Sequence, residues 1–185
     1  HDGQDEGLLI TPSGVDYARL QSEHLAFMRL SDATWRGPRQ PSSEWRFHHD
    51  LYLARPEAGA VLHAHSPYAT ALACLRRDIP PFHYMIARFG GDTVRCADYA
   101  SFGTQQLSDN ALSAMAGRNA CLLANHGLLV FGRSLKQAFD LGVELEALCE
   151  QYVLARQVGE PVLLDAAEMQ LMLEKFRSYG QQRTS

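Results

Sequence analysis

Short apolar runs alternate along the chain with longer segments in which apolar residues recur every three or four positions. The short runs predict strands at residues 8–10, 25–30, 61–65, 93–97, 120–124 and 128–131. The longer segments predict helices that follow Ser43, Ser66, Thr104, Ser134 and Asp165 and end near Pro56, Leu75, Ala116, Val158 and Ser178. Because helices and strands interleave throughout, the sequence predicts a single-domain α/β fold in which helices cover a central sheet.

Composition and charge make two classes of partner unexpected for this 185-residue chain. The net charge is −4 and no basic block occurs, so nucleic-acid binding is not expected. No apolar run approaches the roughly 20 residues needed to cross a bilayer, and no secretory or transit signal is evident. The four scattered cysteines are expected to be small buried residues in a reducing compartment, which predicts a cytoplasmic protein.

The strand predicted at residues 61–65 carries two histidines that suggest a metal site. Alternate side chains of a strand point to the same face, so His63 and His65 would lie side by side while Leu62 and Ala64 face the core. Neutral imidazoles are good ligands for zinc. A pair of surface histidines that only forms hydrogen bonds would show the same pattern, so the motif needs further ligands.

Two other residues could complete such a site. His126 lies in a short polar connection between two apolar strands, and Glu44 lies at the start of the helix that Ser42 and Ser43 are expected to cap. Backbone N–H groups and hydroxyls at this helix start would also suit an anion. A hydrogen-bonded turn histidine, plain capping and compensation of the helix dipole remain alternatives. Three nitrogen ligands would leave room for water or substrate, as in a catalytic zinc site.

Several stretches, in fixed order, resemble the class II aldolase/adducin family from residue 9 to residue 180. The stretches are residues 10–14, 41–48, 61–65, 79–87, 99–104, 126–127 and 174–180. The resemblance implies an αβα domain whose central sheet is mixed or mostly antiparallel. It also implies zinc-dependent cleavage of a ketose 1-phosphate, such as L-fuculose 1-phosphate, to dihydroxyacetone phosphate and L-lactaldehyde.

The same resemblance assigns roles to individual residues. His63, His65 and His126 would be the zinc ligands. Glu44 would touch the resting metal and act as acid and base on the bound ketose. Such an aldolase needs no Schiff-base lysine, and the chain contains only two lysines.

Residues implied to contact the substrate lie elsewhere in the chain. The phosphate would be held by Ser13, Gly14, Ser42 and Ser43. Tyr84 and Tyr179 would reach the reacting groups from a neighbouring subunit of a four-fold homotetramer, with Tyr84 preferred as the proton donor. Phe102 would form an apolar wall.

One departure from the family pattern is visible, and other activities of the family stay open. Family members carry a helix and a Gly-Asn phosphate loop before the segment equivalent to Leu8, and no Gly-Asn pair occurs here, so we expect an N-terminally shortened domain. Sugar-phosphate 4-epimerases and decarboxylases share the scaffold, but the epimerases tend to carry aspartate where this chain has Glu44. A metal-free, adducin-like interaction domain is a further alternative, although the three histidines argue against it.

Overall fold

The computed structural model describes residues 6–178, and these contain seven β-strands and five α-helices. The strands are β1 (Gly7–Ile10), β2 (Ala26–Arg29), β3 (Trp35–Arg36), β4 (Ala60–Ala64), β5 (Cys96–Ala97), β6 (Ala120–Leu123) and β7 (Gly127–Gly132). The α-helices are α1 (Trp45–Ala54), α2 (Pro67–Ala73), α3 (Gln105–Ala114), α4 (Leu135–Val158) and α5 (Ala166–Ser178), and short 3-10 helices lie at Tyr17–Arg19, Ser22–His24 and Tyr84–Phe89. Contacts divide these residues into a first unit, 6–56 with 100–112, and a second unit, 57–99 with 113–178. The predicted α/β class is confirmed.

A four-stranded sheet forms the centre of the second unit. Its strand order is β4–β7–β6–β5. Strand β7 is antiparallel to both β4 and β6, whereas β5 is parallel to β6. Helices α2 and α4 pack against this sheet. The prediction of a mixed, mostly antiparallel sheet covered by helices is therefore confirmed.

Alternation along the strands gives the second unit its core. Leu122 of β6 and Leu128 of β7 are at most 1% exposed and lie in a cluster with buried residues of α2, α4 and α5. Leu62 and Ala64 of β4 pack against the same cluster. His63 lies between them in the sequence, so it points to the opposite face of the sheet.

Helix α4 is the longest helix of the described residues, with 24 residues. The hydroxyl of Ser134 accepts the N–H of Gln137 at 3.2 Å, and Gly159 follows the last helical residue. Both ends of this helix were predicted from the sequence. No helix within residues 6–178 is long and apolar enough to cross a membrane.

The first unit contains a smaller sheet that the sequence did not indicate. Strands β1, β2 and β3 form an antiparallel sheet of their own, with a core that includes Ile10 and Met28. Strands β1 and β2 match predicted strands, but β3 lies between the strand predicted at residues 25–30 and the helix predicted after Ser43, where no element was predicted. A two-residue strand is too short to show the alternation on which such predictions depend.

The start of α1 also differs from the prediction. Its N-cap residue is Glu44, not a serine, and the glutamate side chain makes no capping hydrogen bond. Ser42 instead accepts the N–H of Glu44 with its hydroxyl at 3.2 Å and the N–H of Trp45 with its carbonyl at 3.1 Å. The two serines therefore form the turn before the helix, and Glu44 stands at the helix start.

Asp50 connects α1 to α3 within the first unit. Its carboxylate accepts hydrogen bonds from the Ser108 hydroxyl and the Gln105 amide, each at 2.6 Å, and lies 3.0 Å from Nδ1 of His49. Burial alone would raise the pKa of Asp50. The hydrogen bonds from Ser108, His49 and Gln105 outweigh burial and hold the pKa below its usual value.

Replacing Ser108 by alanine should lower the free energy of unfolding by about 1.5–3 kcal/mol at neutral pH, because Ser108 is fully buried and donates to a charged group. The pKa of Asp50 is lower in the folded chain than in the unfolded one. The stabilisation is therefore complete above a pH of about 4 and is lost as the pH falls through the folded pKa. Urea unfolding at pH 7 and pH 3 measures this, with the exposed Ser113→Ala as the control. Equal destabilisation at both pH values would contradict the assignment.

Candidate metal centre

The backbone of a neighbouring strand orients the ring of His63. Its Nδ1 lies 2.8 Å from the carbonyl oxygen of Leu128 on β7. A carbonyl only accepts hydrogen bonds, so Nδ1 carries the proton and the neutral ring presents a lone pair at Nε2. A histidine whose second nitrogen donates to a backbone carbonyl is typical of metal ligands, because this bond fixes both the tautomer and the ring orientation.

His65 lies beside His63, although it follows the last residue of β4. Pairing of β4 with β7 ends at Ala64, so the predicted strand extends one residue too far, and His65 is exposed. The Nε2 atoms of His63 and His65 are nevertheless 2.9 Å apart, and their ring centroids are 4.7 Å apart. The two imidazoles are therefore side by side, as the alternation in the sequence predicts.

His126 reaches the same place from the turn between β6 and β7. Its ring centroid lies 4.8 Å from that of His63 and 4.9 Å from that of His65. One ring nitrogen of each histidine lies within 4.8 Å of those of the other two. The structure thus brings His126 to the pair His63 and His65, from which it is separated by about a third of the sequence.

The turn that carries His126 depends on its two neighbours. Asn125 has φ of 53°, a left-handed conformation that asparagine adopts more readily than most residues. A Cβ atom at Gly127 would lie 2.4 Å from the carbonyl oxygen of Ala64 and 3.0 Å from Cδ2 of His65. Only glycine therefore allows the turn to lie directly against the end of β4.

The spacing of the rings fits a divalent ion. Zinc binds histidine nitrogen at about 2.0–2.1 Å, and tetrahedral angles then place two ligand nitrogens roughly 3.3 Å apart. The 2.9 Å between Nε2 of His63 and Nε2 of His65 differs from this by a few tenths of an ångström. Three histidines would occupy three tetrahedral positions of such an ion and leave the fourth for another ligand.

In the first unit, the residues predicted to hold phosphate lie on two adjoining segments. The carbonyl of Thr11 accepts the N–H of Ser42 at 2.9 Å, and the hydroxyl of Ser13 accepts the N–H of Ser43 at 2.9 Å. Gly14 has φ of 71° and is exposed, and no atom lies within 4 Å of the place where a Cβ would stand. Small polar residues and open space therefore occur together there.

A second close approach, also within the first unit, places Gly103, the residue after Phe102, against the segment before α1. A Cβ at Gly103 would lie 2.8 Å from the carbonyl oxygen of Ser43, the residue before Glu44. The guanidinium of Arg46 donates to the carbonyl of Gly103 at 2.5 Å. Glu44 is half-buried, whereas the side chain of Phe102 is 70% exposed.

The two predicted tyrosines differ in what the structure says of them. Tyr84 begins the 3-10 helix of the second unit and is 46% exposed. Its ring stacks parallel to that of Phe176 with centroids 6.3 Å apart, and it also contacts His83 at 4.8 Å. Tyr179 lies outside the described residues.

A model of the Class II Aldolase and Adducin N-terminal domain family matches residues 2–153. The chain belongs to this family. Class II aldolases are metal-dependent. In this member of the family, the three histidines form a cluster that suits a metal.

Two curated relatives and one solved structure support the same assignment. A 5-methylthioribulose-1-phosphate/5-deoxyribulose-1-phosphate aldolase of Rhodospirillum rubrum is 55% identical over 175 residues, which cover 95% of the chain and 79% of that protein. An L-fuculose phosphate aldolase of Escherichia coli K12 is 42% identical over 176 residues, covering 95% and 81%. A solved L-fuculose 1-phosphate aldolase superposes with a TM-score of 0.87 at 46% identity, covering 91% of this chain and 79% of that one.

One group beside the cluster of this class II aldolase relative could not be found from its sequence. Nε of Arg76 donates to Oδ1 of Asn125 at 2.6 Å, and the carbonyl of Ala73 accepts the N–H of Asn125 at 3.0 Å. The guanidinium also lies 5.3 Å from the ring centroid of Tyr99. These contacts hold the residue before His126, but no local pattern joins positions 49 residues apart.

Within residues 6–178, the cluster that could hold a metal contains no cysteine. All four cysteines carry free thiols, as expected. Burial raises the pKa of Cys96 to about 11, with Asp78 and Asp98 adding to the effect, and burial also raises the pKa of Cys121 and Cys149. These three thiols therefore stay protonated at neutral pH. The expectation that the cysteines are buried is confirmed for Cys121 and Cys149, whereas Cys96 is half-buried and Cys74 is exposed.

Proposed function

We propose that the chain is a metal-dependent aldolase that cleaves a ketose 1-phosphate to dihydroxyacetone phosphate and an aldehyde. The observation that carries the proposal is the cluster of His63, His65 and His126 in a member of a family that includes the class II aldolases. An adducin-like domain that only binds other proteins would have no use for three imidazoles with their nitrogens turned towards one another.

The metal is proposed to be zinc, held by the three histidines and by Glu44. Imidazole nitrogen with one carboxylate is a donor set typical of zinc, whereas magnesium and calcium prefer oxygen ligands. When bound, the ion would act as a Lewis acid on the ketone of the substrate. The spacing of His63 and His65 supports this ligand set.

Glu44 is proposed to move the proton at carbon. In the direction of synthesis its carboxylate would take a proton from the hydroxymethyl carbon of dihydroxyacetone phosphate, and that carbon would attack the aldehyde. The hydroxyl of Tyr84 would give its proton to the aldehyde oxygen as the carbon–carbon bond forms. In the direction of cleavage the carbon–carbon bond would break, Tyr84 would take its proton back from the ketose hydroxyl, and Glu44 would return its proton to carbon. Glu44 directly follows Ser43, which is proposed to bind the phosphate of the same substrate, and this adjacency supports the role.

The phosphate is proposed to bind at Ser13, Gly14, Ser42 and Ser43. The hydroxyl groups lie on two segments joined by hydrogen bonds, and Gly14 leaves open space beside them. Ser42 and Ser43 directly precede Glu44 in the first unit. A phosphate bound there would therefore hold one end of the substrate close to the Glu44 carboxylate.

We infer a substrate whose other end is apolar. The R. rubrum relative is named for 5-methylthioribulose 1-phosphate and 5-deoxyribulose 1-phosphate, and the E. coli relative for L-fuculose phosphate. All three sugars end in a methyl or methylthio group where common ketoses carry a hydroxyl. Phe102 is 70% exposed and offers an apolar surface for such a group. The 55% identity favours the two pentulose phosphates, with L-fuculose 1-phosphate as the second candidate.

A substrate panel tests the proposed function. Purified protein of known zinc content is offered the two pentulose phosphates, L-fuculose 1-phosphate, and D-ribulose 1-phosphate as the matched control that keeps its terminal hydroxyl. We expect release of dihydroxyacetone phosphate, with the pentulose phosphates preferred over D-ribulose 1-phosphate. L-Ribulose 5-phosphate tests the epimerase alternative. Zinc-loaded protein that releases no dihydroxyacetone phosphate from any of these sugars would overturn the proposal.

The exposure of Tyr84 leads to a prediction about assembly, for which a four-fold homotetramer with shared sites is proposed. Tyr84→Phe should lower kcat for cleavage by about 100-fold, because a general acid is lost. If Tyr84 serves the site of a neighbouring subunit, mixing Tyr84→Phe and His63→Ala chains should restore activity. Random assembly then gives intact sites at about a quarter of positions. If the activity of the mixture is no greater than the sum of the activities of the two variants alone, the shared site is contradicted.

A further inference from the structure

We infer that Glu146 of α4 is a positioning residue for the metal ligand His65. The inference deepens the proposed function and rests on it, since it concerns the same histidine cluster. The hydrogen bonds of Glu146 run to Ser66, Tyr68 and Ala69, none of which is a proposed metal ligand or substrate-binding residue. It acts on the segment that follows His65.

The carboxylate of Glu146 accepts three hydrogen bonds from the start of α2. The hydroxyl of Ser66 donates to one oxygen at 2.6 Å, and the N–H of Ala69 donates to the same oxygen at 2.9 Å. The N–H of Tyr68 donates to the other oxygen at 2.8 Å. A charged acceptor makes these bonds stronger than their neutral equivalents. Ser66 is the N-cap residue of α2, as the helix start predicted after Ser66 implies, but its side chain makes no capping bond, and the carboxylate of Glu146 accepts the first N–H groups of the helix instead.

His65 depends on this arrangement because it lies between the last paired residue of β4 and the segment that Glu146 binds. The pairing of β4 with β7 ends at Ala64, whereas His63 lies within the ladder. The next residue after His65 is Ser66, which Glu146 binds directly. The position of the His65 ring also has little tolerance, since the space for a Cβ at Gly127 is filled by Cδ2 of His65 at 3.0 Å. A shift of the Ser66 backbone would therefore move one of the three ligand nitrogens.

Glutamine cannot replace this carboxylate. Its amide offers one acceptor oxygen, and its NH₂ group would face an N–H or O–H donor. Glu144, two residues earlier on α4, provides a matched control because its carboxylate accepts a hydrogen bond at 2.9 Å from Arg88, which lies in the 3-10 helix Tyr84–Phe89 and not in α2. Both changes, Glu146→Gln and Glu144→Gln, remove one negative charge from the same helix.

The test measures zinc affinity directly. Apoprotein is titrated with zinc in competition with a chromophoric chelator, and the thermal midpoint of the apoprotein is recorded in parallel. We expect Glu146→Gln to weaken zinc binding by about 10-fold and Glu144→Gln to leave it unchanged, because residues that orient metal ligands typically contribute 10- to 100-fold to affinity. Ser66→Ala removes only one of the three bonds and should weaken binding by less.

Each outcome separates this inference from the proposed function. Wild-type protein that binds no stoichiometric zinc overturns the proposed function and the inference together. Zinc binding by the wild type that is unchanged in folded Glu146→Gln, with only the thermal midpoint lowered, overturns the inference alone. If Glu146→Gln does not fold, Ser66→Ala decides, and zinc affinity equal to that of Glu144→Gln then overturns the inference.

Discussion

A His63→Ala variant should bind no stoichiometric zinc and should release dihydroxyacetone phosphate only at the background rate. His63 is the proposed ligand whose tautomer and orientation are fixed, since its Nδ1 lies 2.8 Å from the carbonyl oxygen of Leu128. Its loss removes one of three nitrogens and leaves His65, just beyond the end of β4, and His126, in the turn between β6 and β7. Elemental analysis of the dialysed protein and a coupled assay for dihydroxyacetone phosphate measure the two effects.

Two further variants make this result specific. His126→Ala should have the same effect, because its ring lies 4.8 Å from that of His63. His24→Ala is the control, since His24 lies in a short 3-10 helix of the first unit, where its Nδ1 accepts the N–H of Gln21. Stoichiometric zinc that survives both His63→Ala and His126→Ala would defeat the ligand assignment.

A Glu44→Gln variant should lower kcat by about 10²- to 10⁴-fold, the usual contribution of a general base, while KM changes little. Glutamine keeps the size of the side chain, and the N-cap geometry of α1 does not depend on it because Glu44 makes no capping hydrogen bond. Zinc should remain bound through the three histidines. Steady-state kinetics and zinc content measure the change, with Glu23→Gln, a fully exposed glutamate, as the control.

The exchange of hydrogen between dihydroxyacetone phosphate and deuterated water separates the two proposed proton transfers. Exchange at the hydroxymethyl carbon needs the base but no aldehyde. We expect it to be lost in Glu44→Gln and retained in Tyr84→Phe. Exchange at the wild-type rate in Glu44→Gln would assign the base to another residue.

The metal cluster is the part of the site that the sequence predicts best. Two histidines separated by one residue share a strand face because alternation is a local property of β-structure. The position of His126 could not be predicted from local sequence, because nothing near residue 126 indicates that the turn folds back against the end of β4. The resemblance to a family supplied that pairing, and the ring distances agree with it.

Contacts between distant segments were the part that the sequence could not predict. Glu146 lies 80 residues from Ser66, and Arg76 lies 49 residues from Asn125. Each resembles an ordinary charged residue of a helix or loop, since the pattern that gives it a role exists only after folding. The N-cap of α1 was misplaced for a different reason, because Ser42 and Glu44 compete for the same turn and both are common at helix starts.

The bond between His63 and the carbonyl of Leu128 ties metal loading to the register of two strands. His63 pairs with Leu129 in the β4–β7 ladder, so a slip by one residue would turn its imidazole into the hydrophobic interior. Zinc uptake during refolding should consequently lag behind sheet closure and report it. The time course of zinc uptake, followed with a chelator dye in the refolding mixture, would then report when the two strands pair in the native register.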